Sequence, residues 1–260
     1  MRLKGQRALV TGGGSGIGEA ICIAFANEGA TVAVVDINLE GAERVASKIN
    51  STKGQASAYK LDVSKSLEIN KVLGDIINEN DPIDILVNNA GARIIKGFMQ
   101  HTIEDWDSML SVNLTGPFLC AQACIPNMVK IGGGKIINLC SIASYVGRPN
   151  RCAYVTAKTG LLGLTRALSI DMAGKNIRVN AIAPGMIASP FNQKFAEAAE
   201  TGEAWADENP LGRWGQPNDI TGAAVFLASE DSKFINGSCI SVEGGWLGGR
   251  ARRGEVPIWD

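Results

Sequence analysis

The sequence predicts a single α/β domain built on a doubly wound parallel β-sheet of about seven strands, with helices covering both faces. Strand-like and helix-like stretches alternate along the chain with a repeat of roughly 25–30 residues, which is typical of this architecture. Most of the strand-like stretches are continuously apolar instead of alternating with polar residues, which indicates burial on both faces. No change in composition divides the 260 residues, and we therefore expect one domain spanning residues 1–260.

The first half of the chain supplies four strands and three helices. Arg7–Thr11 and Thr31–Asp36 are predicted strands because they are short and mostly apolar, and Gly16–Asn27 between them has helical spacing. Residues 41–50 have the pattern of an amphipathic helix. The remaining predicted elements of this half are a strand at 55–61, a helix at 65–78 and a strand at 83–88.

The second half continues this alternation and then departs from it. Helices are predicted near 103–130 and 153–173, and buried strands at 135–139, 178–182 and 237–242. Residues 189–209 are polar, contain three aromatic residues and follow the carboxyl end of a strand. This departure predicts a mobile flap or a short pair of helices beside the site, over about residues 186–210.

Composition and charge exclude several functional classes. The 25 Lys and Arg residues nearly balance 26 Asp and Glu residues, so there is no basic excess for nucleic-acid binding. The six cysteines form no CxxC pair and have no histidine cluster, which predicts reduced thiols and no metal site. No apolar run approaches the roughly 20 residues of a membrane helix, and no signal-like stretch follows the first residues. We expect a cytoplasmic protein without a membrane or nucleic-acid partner.

A glycine-rich stretch, TGGGSGIG at residues 11–18, lies between the first strand and the first helix. Glycines here permit a tight turn and let backbone N–H groups approach a pyrophosphate at the helix N-terminus. A plain strand–helix turn is the alternative, but the strand before and the helix after are the context that a dinucleotide site requires. The residues predicted to contact the cofactor here are Gly12, Ser15, Gly16, Ile17 and Gly18.

Asp36 ends the second predicted strand, 18 residues beyond Gly18. An acid near this offset binds the hydroxyls of an adenosine ribose, and its charge repels a 2′-phosphate. Ile37 and Asn38 supply no cation to compensate that repulsion. The sequence therefore predicts NAD as the cofactor in preference to NADP. A solvated aspartate at a strand end is the alternative reading.

Tyr154 and Lys158 are spaced to share one face of a helix, and Ser141 precedes the tyrosine by 13 residues. A phenol titrates near ~10, which is too high for a base at neutral pH. A neighbouring ammonium favours the phenolate and lowers this pKa. Tyr154 can then take a proton from an alcohol while a hydride leaves the alcohol carbon. On its own, this pair of residues is also compatible with a surface contact on any helix.

Together these motifs resemble the short-chain dehydrogenase/reductase family over about residues 5–247, which implies a Rossmann-type fold. The segments 210–213 and 235–245 also resemble its later blocks. The matching positions are Gly12, Gly16 and Gly18 of the cofactor loop, Asp62 and Val63 of the adenine-contacting pair, Asn88, Asn89, Ala90 and Gly91 of the fourth-strand signature, and Asn113, Ser141, Tyr154 and Lys158 of the catalytic set. Pro184, Gly185, Ile187 and Ser189 resemble the turn that binds the cofactor carboxamide, where the family more often has Thr at the position of Ser189.

The resemblance implies a role for each catalytic residue. Ser141 holds the substrate oxygen by a hydrogen bond, and Tyr154 is the general base in oxidation and the acid in reduction. Lys158 binds the nicotinamide ribose and lowers the Tyr154 pKa, and Asn113 positions a water that relays protons from Lys158 to solvent. Family members are usually tetramers, which implies a homotetramer built on the helices near 103–130 and 153–174 and on a C-terminal strand.

Arginines mark the expected substrate side. Arg148 and Arg151 lie between Ser141 and Tyr154, and Arg93 lies in the loop after the fourth strand. Guanidinium groups gathered near a site suit the capture of a carboxylate, phosphate or sulfonate. This pattern predicts NAD-dependent oxidation of a small anionic secondary alcohol, best a sugar acid or a 2-keto-3-deoxy sugar acid. Salt bridges between subunits are the alternative role for these arginines.

A tail at 248–260 continues past the usual end of the family and carries Arg250, Arg252, Arg253 and Trp259. We expect it to reach the pocket of a neighbouring subunit, since a long tail needs a partner surface to be ordered. Trp205 and Trp214 flank the flap, and either could line the pocket.

Other functions remain open at this point. A neutral polyol or cyclic diol dehydrogenase has the same core, and only the arginines argue against it. A 3-oxoacyl-type carbonyl reductase normally prefers NADP, and Asp36 counts against that assignment. A non-catalytic NAD-binding regulator does not need the intact catalytic set.

Overall fold

Seven strands form the centre of the protein, a computed structural model that describes residues 1–79 and 82–249. They are β1 Arg7–Thr11, β2 Thr31–Asp36, β3 Gln55–Lys60, β4 Ile85–Asn88, β5 Gly134–Leu139, β6 Ile177–Pro184 and β7 Cys239–Val242. In the sheet they lie in the order β3-β2-β1-β4-β5-β6-β7, and every neighbouring pair is parallel. The predicted doubly wound α/β fold is confirmed.

Nine α-helices lie within the described ranges. They are α1 Gly16–Asn27, α2 Leu39–Asn50, α3 Ser66–Glu79, α4 Ile103–Leu110, α5 Gly116–Lys130, α6 Cys152–Asp171, α7 Gln193–Ala196, α8 Ala199–Asp207 and α9 Pro217–Ala228. The segment 186–210, for which a flap or a helix pair is predicted, contains the two short helices α7 and α8.

Alternate residues of the strands pack into opposite layers of the core. On β1, Ala8 and Val10 lie in the layer that includes residues of α1, α2 and α9, whereas Leu9 lies in the layer of α3 and α5. All three side chains are fully buried. Because helices cover both faces, consecutive strand positions are apolar, which is the pattern expected of a parallel sheet.

The strand order reverses between β1 and β4, and this reversal positions the site. These two strands are paired side by side, with Thr11 opposite Asn88, but the chain continues from them toward opposite edges of the sheet. The connections that follow their carboxyl ends therefore diverge and leave a crevice. Doubly wound folds bind their ligands at this point.

Helix α9 has no counterpart in the sequence prediction. Pro217 stands in its first turn, where a missing backbone N–H is tolerated. Ile220, Ala224 and Leu227 are buried in the core, and the helix packs against α1. Its sequence is mostly apolar with only a weak polar face, so the usual amphipathic pattern of a helix is missing.

Several element boundaries also differ from the prediction. The second helix begins at Leu39, two residues earlier, because the Asn38 side chain caps it by accepting a hydrogen bond from Gly41 N. Strand β6 is longer than predicted, since it pairs with a neighbour on each side. Strand β7 starts at 239 and not at 237, because Gly237 has a φ of 70°, which a strand residue does not adopt.

The long helix predicted at 103–130 is divided. Helices α4 and α5 are joined by a π-helical turn, Ser111–Thr115. By length and composition the whole stretch Ile103–Lys130 is apolar enough to cross a membrane, contrary to the expectation from the sequence. A single helix of this kind is weak evidence, because the core helix of a globular protein meets the same criteria.

Candidate active site

A cavity of about 410 Å³ opens at the carboxyl edge of the sheet. Most of its lining residues follow the carboxyl ends of β1 to β6. Every residue predicted from the sequence to contact cofactor or substrate lines this cavity, with the exception of Gly18. Among the described residues there is no group of three or more metal-ligating side chains.

The glycine loop after β1 forms one wall of the cavity. Gly12 and Gly16 have φ values of 65° and 55°, a conformation that side chains disfavour. A Cβ on Gly12 would lie 2.9 Å from the Cα of Ala90. Gly18 does not line the cavity, because it lies beneath the loop in the first turn of α1, where a Cβ would collide with the Gly12 carbonyl. Gly18 therefore lets the helix pack against the loop, and its contact with the cofactor stays a prediction.

The segment after β4 holds the glycine loop in place. The Asn89 side-chain amide donates hydrogen bonds to the carbonyls of Thr11 and Gly12, at 3.0 and 2.9 Å. In return the Thr11 hydroxyl accepts from the backbone N–H groups of Asn89 and Ala90. These bonds fix the loop with an open cavity in front of it, as a nucleotide pyrophosphate requires.

Two carboxylates mark the adenosine side of the cavity. Asp36 Oδ2 accepts from Gly14 N and Oδ1 from Asn38 N, both at 2.9 Å, and these bonds hold the carboxylate at the end of β2. Asp62 Oδ1 accepts from the backbone and the hydroxyl of Ser64. Burial acts to raise the Asp62 pKa, but the bonds from Ser64 outweigh it and leave the pKa lowered. The loop and these two acids fit the phosphates and the adenosine of a dinucleotide.

Ser141, Tyr154 and Lys158 meet at the other end of the cavity. The Ser141 hydroxyl is hydrogen-bonded to the Tyr154 phenol. Lys158, one turn further along α6, is buried, and its Nζ donates to the carbonyl of Leu139 at 2.7 Å. The Ser144 hydroxyl also donates to the Lys158 carbonyl at 2.8 Å, which ties α6 to the segment after β5.

Burial dominates the titration of this group. It raises the Tyr154 pKa, while the hydrogen bond from Ser141 and the charge of Arg93 act in the opposite direction. It also lowers the pKa of Lys158 to about 8. The ammonium of Lys158 lies 6.0 Å from the centre of the Tyr154 ring and donates to the Leu139 carbonyl, and its lowering of the Tyr154 pKa stays a prediction.

Asn113 reaches the site through the π-helical turn. Its side-chain amide donates to the carbonyls of Ala92 and Met109, both at 3.0 Å, and its Oδ1 accepts from Ala92 N. A Cβ on Gly91 would lie 3.1 Å from Asn113 Oδ1 and 3.7 Å from Lys158 Nζ. Only a glycine at 91 therefore leaves the space between these two polar groups open. π-Turns of this kind often occur at functional sites.

Arg93 ties the flap to the loop after β4. Its Nη1 donates to Asn192 Oδ1 at 2.9 Å and its Nη2 to the Phe191 carbonyl at 3.2 Å. The guanidinium also lies over the rings of Phe191 and Phe195, at 4.6 and 5.1 Å from their centres. Arg93 therefore has a structural role in addition to any contact with substrate.

Arg148 and Arg151 lie against tryptophan rings at the same end of the cavity. Arg148 is 5.2 Å from the ring centres of both Trp205 and Trp246, and Arg151 is 5.9 Å from that of Trp205. Arg151 is buried and donates to the Pro149 carbonyl at 3.0 Å. Guanidinium groups attract the faces of aromatic rings, so the tryptophans hold both arginines at this end of the cavity.

The charges of Arg93 and Arg151 are not balanced by a carboxylate within the described structure. No carboxylate of residues 1–79 or 82–249 lies within salt-bridge distance of Arg93 or Arg151. Burial lowers the pKa of both groups, and the charge of Arg148 lowers each further. Tyr154 lies close enough for its ionised form to stabilise both cations. Cations held together against their repulsion form a site for an anion.

The flap adds residues that the sequence analysis did not identify. Phe191 and Asn192 line the cavity. Of the two tryptophans that the sequence offered as lining residues, Trp205 lines the cavity and Trp214 does not. Trp214 stacks behind Trp205 at 5.6 Å, and its indole N–H donates to the Gly202 carbonyl. The aromatic content of the segment is visible in the sequence, but the ring that faces the cavity is set by tertiary packing.

The C-terminal tail is also expected to reach a pocket. Its residues Arg250, Arg252, Arg253 and Trp259 lie outside the described residues.

A dinucleotide-binding fold whose cavity is lined by a Ser–Tyr–Lys group and by a glycine-rich cofactor loop defines a nicotinamide-dependent oxidoreductase. Comparison with known proteins agrees with this class. A family model described as enoyl-(acyl carrier protein) reductase, from the short-chain dehydrogenases and reductases, matches residues 12–247. The chain belongs to the short-chain dehydrogenase/reductase family.

Characterised relatives are similar over nearly the whole chain. The 3-oxoacyl-(acyl-carrier-protein) reductase of Thermotoga maritima is 38% identical over 245 residues, which cover 94% of this chain and 99% of that protein. The D-threitol dehydrogenase of Mycolicibacterium smegmatis is 38% identical, with 94% of each chain covered. The 5-keto-D-gluconate 5-reductase of Escherichia coli K12 is 37% identical, with 94% and 96% covered.

Solved structures are similar at the same level. The gluconate 5-dehydrogenase of Burkholderia cenocepacia, in complex with NADP and tartrate, superposes with a TM-score of 0.91 at 35% identity, covering 95% of this chain and 97% of that one. The protein is therefore an oxidoreductase that binds a nicotinamide dinucleotide.

Proposed function

We propose that this protein oxidises a secondary alcohol to a ketone on a small anionic substrate, with NAD as the cofactor. Sugar acids and 2-keto-3-deoxy sugar acids fit best. The observation that carries this proposal is the group of three arginines beside Tyr154, two of which have no carboxylate partner within the described residues.

An anionic substrate would complete this arrangement. Arg93, Arg148 and Arg151 line the same cavity as the Tyr154 hydroxyl, so a substrate held there by its acid group reaches the base with its alcohol. A guanidinium binds a carboxylate through two parallel hydrogen bonds, which also fixes the orientation of the substrate. Similarity to a 5-keto-D-gluconate 5-reductase and to a gluconate 5-dehydrogenase supports a sugar acid.

The side chains divide the proton chemistry among them. Ser141 holds the alcohol oxygen, and the Tyr154 oxygen takes the hydroxyl proton in oxidation or returns it in reduction. Lys158 and Asn113, on either side of the open space at Gly91, pass the proton on toward solvent through a water. Lys158 would also hold the nicotinamide ribose. When bound, the oxidised nicotinamide supplies the acceptor for the hydride that leaves the alcohol carbon.

The preference for NAD rests on Asp36. Its carboxylate lines the cavity and is fixed by two backbone N–H groups, so it cannot turn away from a ribose 2′-phosphate without breaking both bonds. Hydroxyls donate to a carboxylate, whereas a phosphate repels it. Related structures in complex with NADP make this preference the part of the proposal that most needs measurement.

The resemblance to the family supports a proposal for the assembly, and the reduced cysteines support one for the location. We propose a homotetramer formed on α4, α5 and α6 with the C-terminal strand, acting in the cytoplasm. Ile103, Phe118 and Ile170 on these helices are exposed in the single chain, as expected of surfaces that pack against another subunit.

A neutral polyol is the second candidate substrate. The observation in its favour is the similarity to a D-threitol dehydrogenase, at the same identity as the acyl-carrier-protein reductase. In that case Arg93 acts only through its bonds to the flap, and Arg148 and Arg151 support their aromatic neighbours. Asp36 argues against a reductase that uses NADP, and the complete catalytic set argues against a non-catalytic regulator.

The two candidates are distinguished by initial rates of NADH formation at mildly alkaline pH. D-Gluconate is paired with D-glucitol, other sugar acids are paired with their neutral polyols, and each pair is repeated with NADP⁺. We expect kcat/KM to favour the acid by at least about tenfold, which is the effect of one charge-assisted hydrogen bond. Faster turnover of D-threitol and of the other neutral polyols would reject the anionic substrate while leaving the catalytic assignment unchanged.

A further inference from the structure

A bidentate ion pair joins helices α1 and α2 close to Asp36. Arg44, on α2, donates from Nη2 to Glu19 Oε2 at 2.6 Å and from Nη1 to Glu19 Oε1 at 3.0 Å. Lys48, one turn later on α2, donates to Glu19 Oε1 at 3.3 Å. One carboxylate, in the first turn of α1, therefore holds two cations.

The pair is connected to Asp36 through a single residue. The Nη2 of Arg44 also donates to the Gly14 carbonyl at 2.8 Å, while Gly14 N donates to Asp36 Oδ2 at 2.9 Å. A Cβ on Gly14 would lie 3.0 Å from both Asp36 Oδ2 and Ala42 N, so the loop, the acid and the start of α2 are in close contact. The Arg44 guanidinium and the Asp36 carboxylate thus bind the carbonyl and the N–H of the same residue, Gly14.

Both cations are exposed enough to move. The side chains of Arg44 and Lys48 are 54% and 59% exposed, whereas that of Glu19 is only 19% exposed. An arginine on a flexible stem next to an adenosine ribose would bind a 2′-phosphate well, since its fork of N–H groups matches phosphate oxygens. Within the described structure these N–H groups are directed at Glu19 and Gly14.

We infer that Glu19 is a cofactor-discriminating residue: it binds Arg44 and Lys48 and so withholds them from a ribose 2′-phosphate. Asp36 repels the phosphate directly, and Glu19 prevents neighbouring cations from compensating that repulsion. This inference rests on the proposed NAD preference, to which it adds a second residue outside the cavity. It also predicts that Glu19 has little effect on NAD binding, because a free 2′-hydroxyl gains nothing from a nearby cation.

The test is binding of NADP⁺ and NAD⁺ without substrate, by isothermal titration calorimetry at low ionic strength. Release of an exposed ion pair is worth up to about 1 kcal/mol, so Glu19→Gln should lower the Kd for NADP⁺ by about fivefold. The Kd for NAD⁺ should not change, and added salt should reduce the gain for NADP⁺, as expected for exposed charges. In the double variant Glu19→Gln/Arg44→Gln most of the gain should disappear.

Glu28→Gln is the matched control. Glu28 also pairs with an arginine: its Oε1 accepts from Nη2 and Nε of Arg2, at 2.7 and 3.1 Å, and neither residue lines the cavity. This variant should leave both affinities unchanged. An unchanged NADP⁺ affinity in Glu19→Gln, or an equal loss for both cofactors, would show that the pair only fastens α1 to α2 and would overturn the inference. Tighter binding of NADP⁺ than of NAD⁺ by the unmodified protein would instead reject the proposed NAD preference. The inference about Glu19 would still be decided by comparing the NADP⁺ affinity of Glu19→Gln with that of the unmodified protein.

Discussion

The buried ammonium of Lys158 should make the stability of this enzyme rise with pH over a defined window. Its pKa is about 8 in the folded protein, because burial disfavours the charged form, against 10.5 for an unperturbed lysine. Below pH 8 the group is charged in both states, and the folded state bears the cost of the buried charge. Above pH 10.5 it is neutral in both. Between these values the unfolded chain binds more protons, so the free energy of unfolding increases with pH.

The size of this effect follows from the two pKa values. One pKa unit corresponds to about 1.4 kcal/mol, so the full difference is about 3 kcal/mol, of which about 2 kcal/mol is recovered between pH 7 and 9.5. Lys158→Met removes the titrating group at nearly the same side-chain length. The unfolding free energy of the unmodified protein should therefore rise by about 2 kcal/mol relative to the variant across this range.

The assay is denaturant unfolding of both proteins at several pH values, analysed as the difference between them. Lys130→Met, at the exposed end of α5, is the control for replacing a lysine that is not buried. The difference in unfolding free energy between the unmodified protein and this control should stay constant with pH. A Lys158 difference that stays constant or falls between pH 7 and 9.5 would refute the assignment of a lowered pKa to this group.

Two further predictions concern the site. Tyr154→Phe should lower kcat by about 10²–10⁴-fold, because the proton acceptor is lost. Calorimetry should show that NAD⁺ binding is unchanged. If the variant retained turnover, Tyr154 would be excluded as the base. Trp205→Leu removes the ring against which Arg148 and Arg151 lie, and should raise KM for the acid substrate by about two- to tenfold with kcat little changed. A drop in kcat alone would indicate that the ring acts on the reacting atoms and not on the arginines.

The parts of the site that depend on local sequence could be predicted. The loop between β1 and α1 needs glycines at Gly12 and Gly16 because of their positive φ, and Tyr154 and Lys158 share a helix face because they are four residues apart. Gly18 shows the limit of this reasoning, since a required glycine can serve packing as well as ligand contact. The continuously apolar strands predicted the doubly wound sheet for the same local reason.

The remaining features depend on contacts between distant residues. Arg93 and Asn192 are 99 positions apart, and their hydrogen bond is what places the flap beside the cavity. Glu19 and Arg44 are 25 positions apart on different helices, and neither matches a motif. The π-turn at Asn113 and the weakly amphipathic helix α9 are set by packing, so periodicity gives no signal for them.

The central claim is that the arginines beside Tyr154 select an anion, and Arg148→Met tests it most directly. Methionine keeps an unbranched stem between Trp205 and Trp246 while removing the charge, and Arg166→Met on the exposed side of α6 is the control. Steady-state rates are measured with the best acid substrate and its neutral polyol. Loss of a charge-assisted contact should raise KM for the acid by about 10- to 100-fold and leave the polyol unchanged. Equal KM values for the acid in the variant and the unmodified protein would contradict the account.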